Sequence, residues 1–231
     1  MLVTNLRQSG IGNLGDVPWG THFCHFYKTR EDLLSILVPY FKAGLADNEF
    51  CMWVTSEPLK AEEAAQAMRE AVPDFASYVS RGQIEIVSQD QWYVREGAVA
   101  LPKVLDGWVQ KLNEALARGY DGMRVSGDTT WMKKSRDYAA TVDSVVGKHR
   151  MIALCSYSLE ECSTDAVFDV MRNHGSALIR HEGKWEIIET SVHAKTREAL
   201  REREEYLRAV LNASTAMVVL LDRDGTGLEA N

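Results

Sequence analysis

The features that would mark a working nucleotide enzyme are missing. G-x-x-x-x-G-K-[ST] occurs nowhere in the 231 residues, and "HFCHFYKTREDLL", His22 to Leu34, where a strand runs into a helix, has no glycine to wrap a phosphate. Cysteine is sparse. Cys24, Cys51, Cys155 and Cys162 form no C-x-x-C pair, which excludes a zinc ribbon and a disulfide framework and reads as reduced thiols. No apolar run approaches the roughly 20 residues of a spanning helix, and "MLVTNLRQSGIGNLGD" has neither the basic nor the apolar part of a signal peptide. The expected location is the cytoplasm, away from any membrane. Basic charge is also short: 26 Lys and Arg against 33 Asp and Glu give −7, too little positive surface to displace counterions from nucleic acid. There is no G-x-S-x-G elbow, and the carboxylates near strand ends (Glu57, Asp90, Asp128) read as caps or turn residues.

What is present alternates between two periodicities. After a Gly-rich lead-in over residues 1–18, His22–Tyr27 reads as a strand and Asp32–Ala46 as a helix that "GLADNE" ends. "FCMWVTS" is a near-continuous apolar strand of the kind covered on both faces. A helix over Lys60–Val72, the strand "QIEIVS", a helix marked by Leu101, Leu105, Trp108 and Leu112, and the strand "GMRVSG" follow. A helix around Tyr138, Val142 and Val145 leads to the central strand "RMIALCSY". Ser163 or Thr164 caps a helix to His174, and "SALIRHEGKWEIIE" closes as a hairpin around Glu182-Gly183. The fold class is α/β: a mostly parallel, doubly wound sheet flanked by helices, with a closing β-hairpin and a C-terminal helix.

Ligands of such sheets sit at the carboxyl ends of the strands. That rule selects Tyr27, Thr55 to Glu57, Gln89 to Trp92, Ser126 to Trp131, and Tyr157, a mouth of aromatic rings suited to a small, partly apolar molecule. Arg124, inside an otherwise apolar strand, is expected to be a buried charge whose partner is Asp128 or an acidic group of the ligand. Trp131 serves as core or as a lid.

The tail differs in kind. "HAKTREALREREEYLRAVLNAS" (193–214) is a charged helix with Leu200, Leu207, Val210 and Leu211 as a short seam, read as a signalling linker that pairs two chains in a homodimer. "TAMVVLLDRDGTGLEAN" (215–231) resembles the opening of a PAS domain and stops before a PAS core closes, so the chain reads as the front of a longer protein.

Between them, "GTHFCHFY", "GLADNEFCMWVTSE", "RGQIEIVSQDQWY", "GMRVSGDTTW", "ALCSYS" and "MRNHGSALI" occur in the order seen in the MEDS family, the methanogen/methylotroph sensory domain, and residues 19–192 resemble that domain. The most specific element is H-x-C-x-x-Y, carried by His22, Cys24 and Tyr27. The resemblance implies a RecA/KaiC-like core that has lost ATPase function and senses a small molecule, thought to be a hydrocarbon derivative, for a histidine kinase or transcription regulator.

The residues themselves leave two readings open. A histidine and a cysteine on an interior strand also serve as a hydrogen-bonded core residue and a small apolar filler. His22 and Cys24 share one strand face, and Tyr27 takes the other parity. His174 falls on the inward helix face with Val167, Val170 and Met171, and Cys155 lies beside the first strand in a RecA-like order. His22, Cys24, Cys155 and His174 together offer two nitrogens and two thiolates for zinc, copper or iron where they converge, although no carboxylate is evidently placed to orient either histidine. The expected function is a sensory input domain, not an enzyme and with no ATP. It would bind a small molecule or a metal or metallo-cofactor at His22, Cys24, Tyr27, Arg124, Asp128, Trp131, Cys155, Tyr157 and His174, and signal to a downstream PAS or kinase module. The alternative is a cysteine-dependent hydrolase or transferase using Cys24 or Cys155.

Overall fold

The computed structural model describes residues 6–92, 101–128, 138–189, 219–221 and 227–230, with positions 206 and 209. The chain divides into two compact units, Leu6–Ile188 and a second formed by the two chain ends.

The larger unit is built on a seven-stranded sheet. Its strands are β3 (His22–Tyr27), β4 (Phe50–Thr55), β5 (Ile84–Ser88), β6 (Met123–Asp128), β7 (Met151–Ser158), β8 (Ser176–His181) and β9 (Lys184–Glu189), in the order β5-β4-β6-β7-β3-β8-β9. The pairs from β5 through to β8 are parallel. β9 folds back on β8 through Glu182-Gly183, whose positive φ values of 48° and 78° suit a two-residue hairpin turn. Every residue of β3, β4 and β7 is buried, because helices cover both faces, and this explains their uninterrupted apolar sequences.

Side-chain parity sorts the core into two layers. Phe23, Tyr27, Cys51, Trp53, Ile152 and Leu154 point to the face covered by α1 (Arg30–Ala46), α2 (Ala61–Ala71) and the short α3 (Phe75–Ser80). Cys24, Phe26, Met52, Val125, Cys155 and Tyr157 point to the opposite face, beneath α5 (Leu101–Ala117), α6 (Tyr138–Val146) and α7 (Thr164–Asn173). A single turn, α4 (Gln89–Trp92), follows β5. Ser163 caps α7, as its sequence suggests, with its hydroxyl accepting from Ala166 N–H.

Two elements differ from the sequence reading. Within the lead-in, β1 (Leu6–Gln8) and β2 (Asp16–Pro18) pair antiparallel, and Ser9, Ile11 and Val17 are buried in the same unit as the sheet, so residues 6–18 join the domain that the sequence reading begins at residue 19. Helix α1 begins at Arg30, two residues before Asp32, because Thr29 and Asp32 form a reciprocal capping box.

In the smaller unit, β10 (Val219–Leu221) and β11 (Gly227–Ala230) pair antiparallel, and the Asp-Gly stretch between them lies outside the described residues. Tyr206 and Ala209 are helical, and the remainder of the linker over 193–214 lies outside the described residues.

Candidate functional site

Three of the residues singled out from the sequence meet beneath α6 and α7. One ligand atom from each of His22, Cys155 and His174 lies within 4.8 Å of the others, and all three residues are buried. The sheet creates the meeting. β3 and β7 run side by side with His22 opposite Ala153 and Cys24 opposite Cys155, so that His22 and Cys155 share a face. His22 Nε2 is 3.2 Å from Cys155 Sγ. His174, the C-cap of α7, brings its ring to 4.3 Å from the His22 ring, and Tyr157 meets His174 edge-on at 5.7 Å.

The protons on these rings follow from their partners. His174 Nδ1 is 2.8 Å from the carbonyl of Val170, which can only accept, so Nδ1 carries the hydrogen and Nε2 presents a lone pair to the interior. That Nε2 is buried without a hydrogen-bond partner among the described residues. Burial, together with the neighbouring His22, pushes the His174 pKa down to about 3, so the ring is neutral. Burial also lowers the pKa of His22, partly offset by Asp143, whose Oδ1 lies 3.6 Å from Nδ1. Asp143 on α6 is therefore the carboxylate that sequence reading did not find. A single acid among "TVDSVV", on a helix remote in sequence from His22, carries no local motif.

Cys24 shares the face but not the trio. Its Sγ is 3.9 Å from the carbonyl of Ser176, and burial pushes its thiol well up, with nearby Cys155 and Cys162 adding to the shift. Tyr27 takes the opposite face, so the expected convergence of Tyr27 with Tyr157 does not occur. The trio also lies deeper than the carboxyl-end mouth, since His22 opens its strand and Cys155 sits mid-strand.

Arg124 is corrected as a ligand residue. All five of its N–H donors are engaged: Nε with Glu49 Oε2 at 2.6 Å, Nη1 with the carbonyls of Ser9 and Tyr40, and Nη2 with the carbonyl of Gln8 and Glu49 Oε1. Its partner is Glu49, not Asp128 or a bound acid, and Arg7 adds a second cation 3.0 Å from Glu49. Gly44 makes the path, because a Cβ there would meet Arg124 Nε at 2.9 Å. The Asp128 side chain and the whole of Trp131 lie outside the described residues.

The turn from β3 into α1 is the fold's natural anion site, a helix N-terminus after a central strand. Here the chain fills it itself. Asp32 Oδ2 accepts from Lys28 N–H at 3.0 Å and Thr29 N–H at 3.2 Å, and Arg180 of β8 pairs with Oδ1. Burial alone would raise the Asp32 pKa, but Arg180 and the two N–H groups hold it below its ordinary value. Nearby, His25 Nε2 is 2.7 Å from Ser156 Oγ, and burial takes its pKa down to about 3.

Comparison with solved structures returns the same architecture. The KaiC-like protein PH0186 from Pyrococcus horikoshii OT3 superposes with a TM-score of 0.52 at 13% identity, over 78% of this chain and 85% of that one. The flagellar accessory protein FlaH from Methanocaldococcus jannaschii superposes with 0.51 at 11%, over 78% and 82%. These likenesses establish a RecA/KaiC-like fold. No curated protein matches the sequence. The family model described as MEthanogen/methylotroph, DcmR Sensory domain matches residues 21–175, more than half of the chain and the whole span from His22 to His174, and the chain therefore belongs to the MEDS family of sensory domains.

Proposed function

We propose that this chain is the sensory input part of a signal-transduction protein, binding a small molecule at the His22–Cys155–His174 cluster and passing the change through residues 193–214 to a downstream PAS and kinase module. The observation that supports this reading is the cluster itself. A buried thiol and two neutral imidazoles, one with an unpartnered lone pair, are an expensive way to fill a core and a useful way to hold a ligand. The capped turn at Asp32 supports the other half of the reading, a domain that does not turn over ATP. The test is thermal melting of the purified chain against short-chain alcohols, aldehydes, thiols and haloalkanes. At least one class raises the melting temperature of the wild type and leaves His174→Gln unmoved; a panel without any such class refutes ligand binding at this cluster.

A second reading has an observation of its own. Cys155 Sγ, His22 Nε2 and Asp143 stand in the order of nucleophile, base and orienting acid. Against it, Cys155 and His22 are 2% and 4% exposed, which leaves less room for a bulky acyl donor than for a small ligand or an ion. A burst of nitrophenol from p-nitrophenyl acetate that Cys155→Ala abolishes would favour the enzyme.

A further inference from the structure

We infer that His22 Nε2, Cys155 Sγ and His174 Nε2 are the three protein ligands of a single borderline-soft transition-metal ion of the zinc(II) or cobalt(II) class, with one coordination position left open. The inference deepens the sensory reading of the same cluster and rests on it for its biological purpose, though not for its chemistry.

The donor set fits such an ion. Two imidazole nitrogens and one thiolate match the ligand preferences of zinc, and three protein ligands with an open position are the arrangement of reactive rather than purely structural sites. The spacing fits as well. Around a tetrahedral ion with metal–ligand bonds of 2.0 to 2.3 Å, the donor atoms lie roughly 3.3 to 3.6 Å apart. His22 Nε2 and Cys155 Sγ are already 3.2 Å apart, and the whole trio lies within 4.8 Å, so rotamer-scale adjustment closes it.

The second observation is the outer shell. A ligating histidine holds its other ring N–H against a carboxylate or carbonyl, which fixes the tautomer and aims the lone pair. His174 has that partner, with Nδ1 on the Val170 carbonyl at 2.8 Å; His22 Nδ1 makes no hydrogen bond among the described residues, and Asp143 Oδ1 stands 3.6 Å from it, the carboxylate within reach of that role. The buried and unpartnered His174 Nε2 points to a ligand. Cys24, although it is the register partner of Cys155, is outside the group, and the site is therefore His-His-Cys rather than one built with two thiolates. On binding, the Cys155 S–H bond breaks, its proton leaves to solvent, and the thiolate electron pair forms the metal–sulfur bond with no change of oxidation state.

The experiment strips the full chain with a chelator and titrates it with Co2+, and then with Zn2+ in competition. The expected result is one Co2+ per chain, with a near-ultraviolet sulfur-to-cobalt charge-transfer band and the visible bands of a four-coordinate ion, all displaced by one equivalent of Zn2+. Cys155→Ser loses the charge-transfer band while Cys24→Ser keeps it, and Asp143→Asn, which leaves the ligands in place, weakens binding by roughly 10- to 100-fold. Absence of the band in the wild type, or its loss in Cys24→Ser with retention in Cys155→Ser, overturns the assignment. Should Cys155→Ser not fold, the wild-type and Cys24→Ser spectra decide the question. A chain that takes up no Co2+ yet is stabilised by a panel compound through His174 refutes the metal and leaves the sensory reading standing. One that binds Co2+ as described and responds to no compound does the reverse.

Discussion

Arg180 reaches from β8 to the carboxylate of Asp32, which already accepts the backbone N–H groups of Lys28 and Thr29. An anion bound at the first turn of α1 would have to displace that carboxylate and would compete with a charge fixed on the chain itself.

The first prediction is therefore that ATP does not bind with micromolar affinity, and calorimetry showing saturable micromolar binding would contradict it. Asp32→Asn removes the charge and weakens the cap, at a cost of about 1 kcal/mol. The sign with pH follows from the lowered pKa. The contribution is fully present above the ordinary carboxylate range and disappears as pH falls through the lower native value. Wild type and Asp32→Asn should thus differ in urea midpoint near neutral pH and converge in strong acid; a constant difference counts against the assignment.

The second prediction separates structure from sensing at Arg124. A buried cation with all five donors engaged and a carboxylate partner is costly to break, and Arg124→Met should lose roughly 3 kcal/mol, the low end for a broken buried pair, because Glu49 keeps Arg7 at 3.0 Å. Arg124→Met combined with Glu49→Gln should lose less than the two single costs together, since each single change already breaks the hydrogen bonds the two residues share. Denaturant titrations of the three variants measure this. Additive losses would show that the pair is not coupled.

The third prediction concerns His25. Its ring faces Ser156, Tyr27 and Trp185, and the Asp32 charge, itself paired with Arg180, only partly offsets the burial that takes the pKa from 6.5 to about 3. The unfolded chain binds a proton here that the native chain does not. The stability contributed by the neutral ring is present above about pH 6.5 and falls by about 1.4 kcal/mol per unit as pH drops toward the native value. His25→Gln should show a shallower acid limb by that slope. Equal slopes for the two proteins between about pH 6 and about pH 4 would refute a buried neutral His25.

How much of this was legible follows from which interactions are local. The apolar runs of β4 and β7 announce covered strands by themselves, and the His22/Cys24 parity against Tyr27 follows from a two-residue repeat. His22, Cys155 and His174 were each visible as odd residues in apolar settings, but which of the two cysteines joins the histidines depends on the placement of α7, set by long-range packing. The partner of Arg124 was hidden for the same reason. Glu49 sits in "ADNEF", which reads as a helix terminator, and becomes an ion-pair partner only because β4 and β6 are neighbours.

The fourth prediction rests on sequence, because Leu200, Leu207 and Val210 lie outside the described residues. Leu200 and Leu207 are seven residues apart and Val210 follows three later, the spacing of a coiled-coil seam, while Arg203 interrupts it. A seam of under two clean heptads is marginal in isolation and needs further contacts from the domains on either side. The expected state is a parallel homodimer at high micromolar concentration that dissociates on dilution and tightens when the chain is extended through a whole PAS domain. Under the proposed sensory reading, parallel pairing would set two identical output modules side by side, where a change at either sensor alters their spacing or twist. Leu207→Glu places like charges against each other across the seam and should shift the weight-average mass toward the monomer without changing the Co2+ titration. Light scattering that finds monomer for both the chain and its extended form, at concentrations above about 100 μM, would leave the linker without a pairing role and require the signal to travel within one chain.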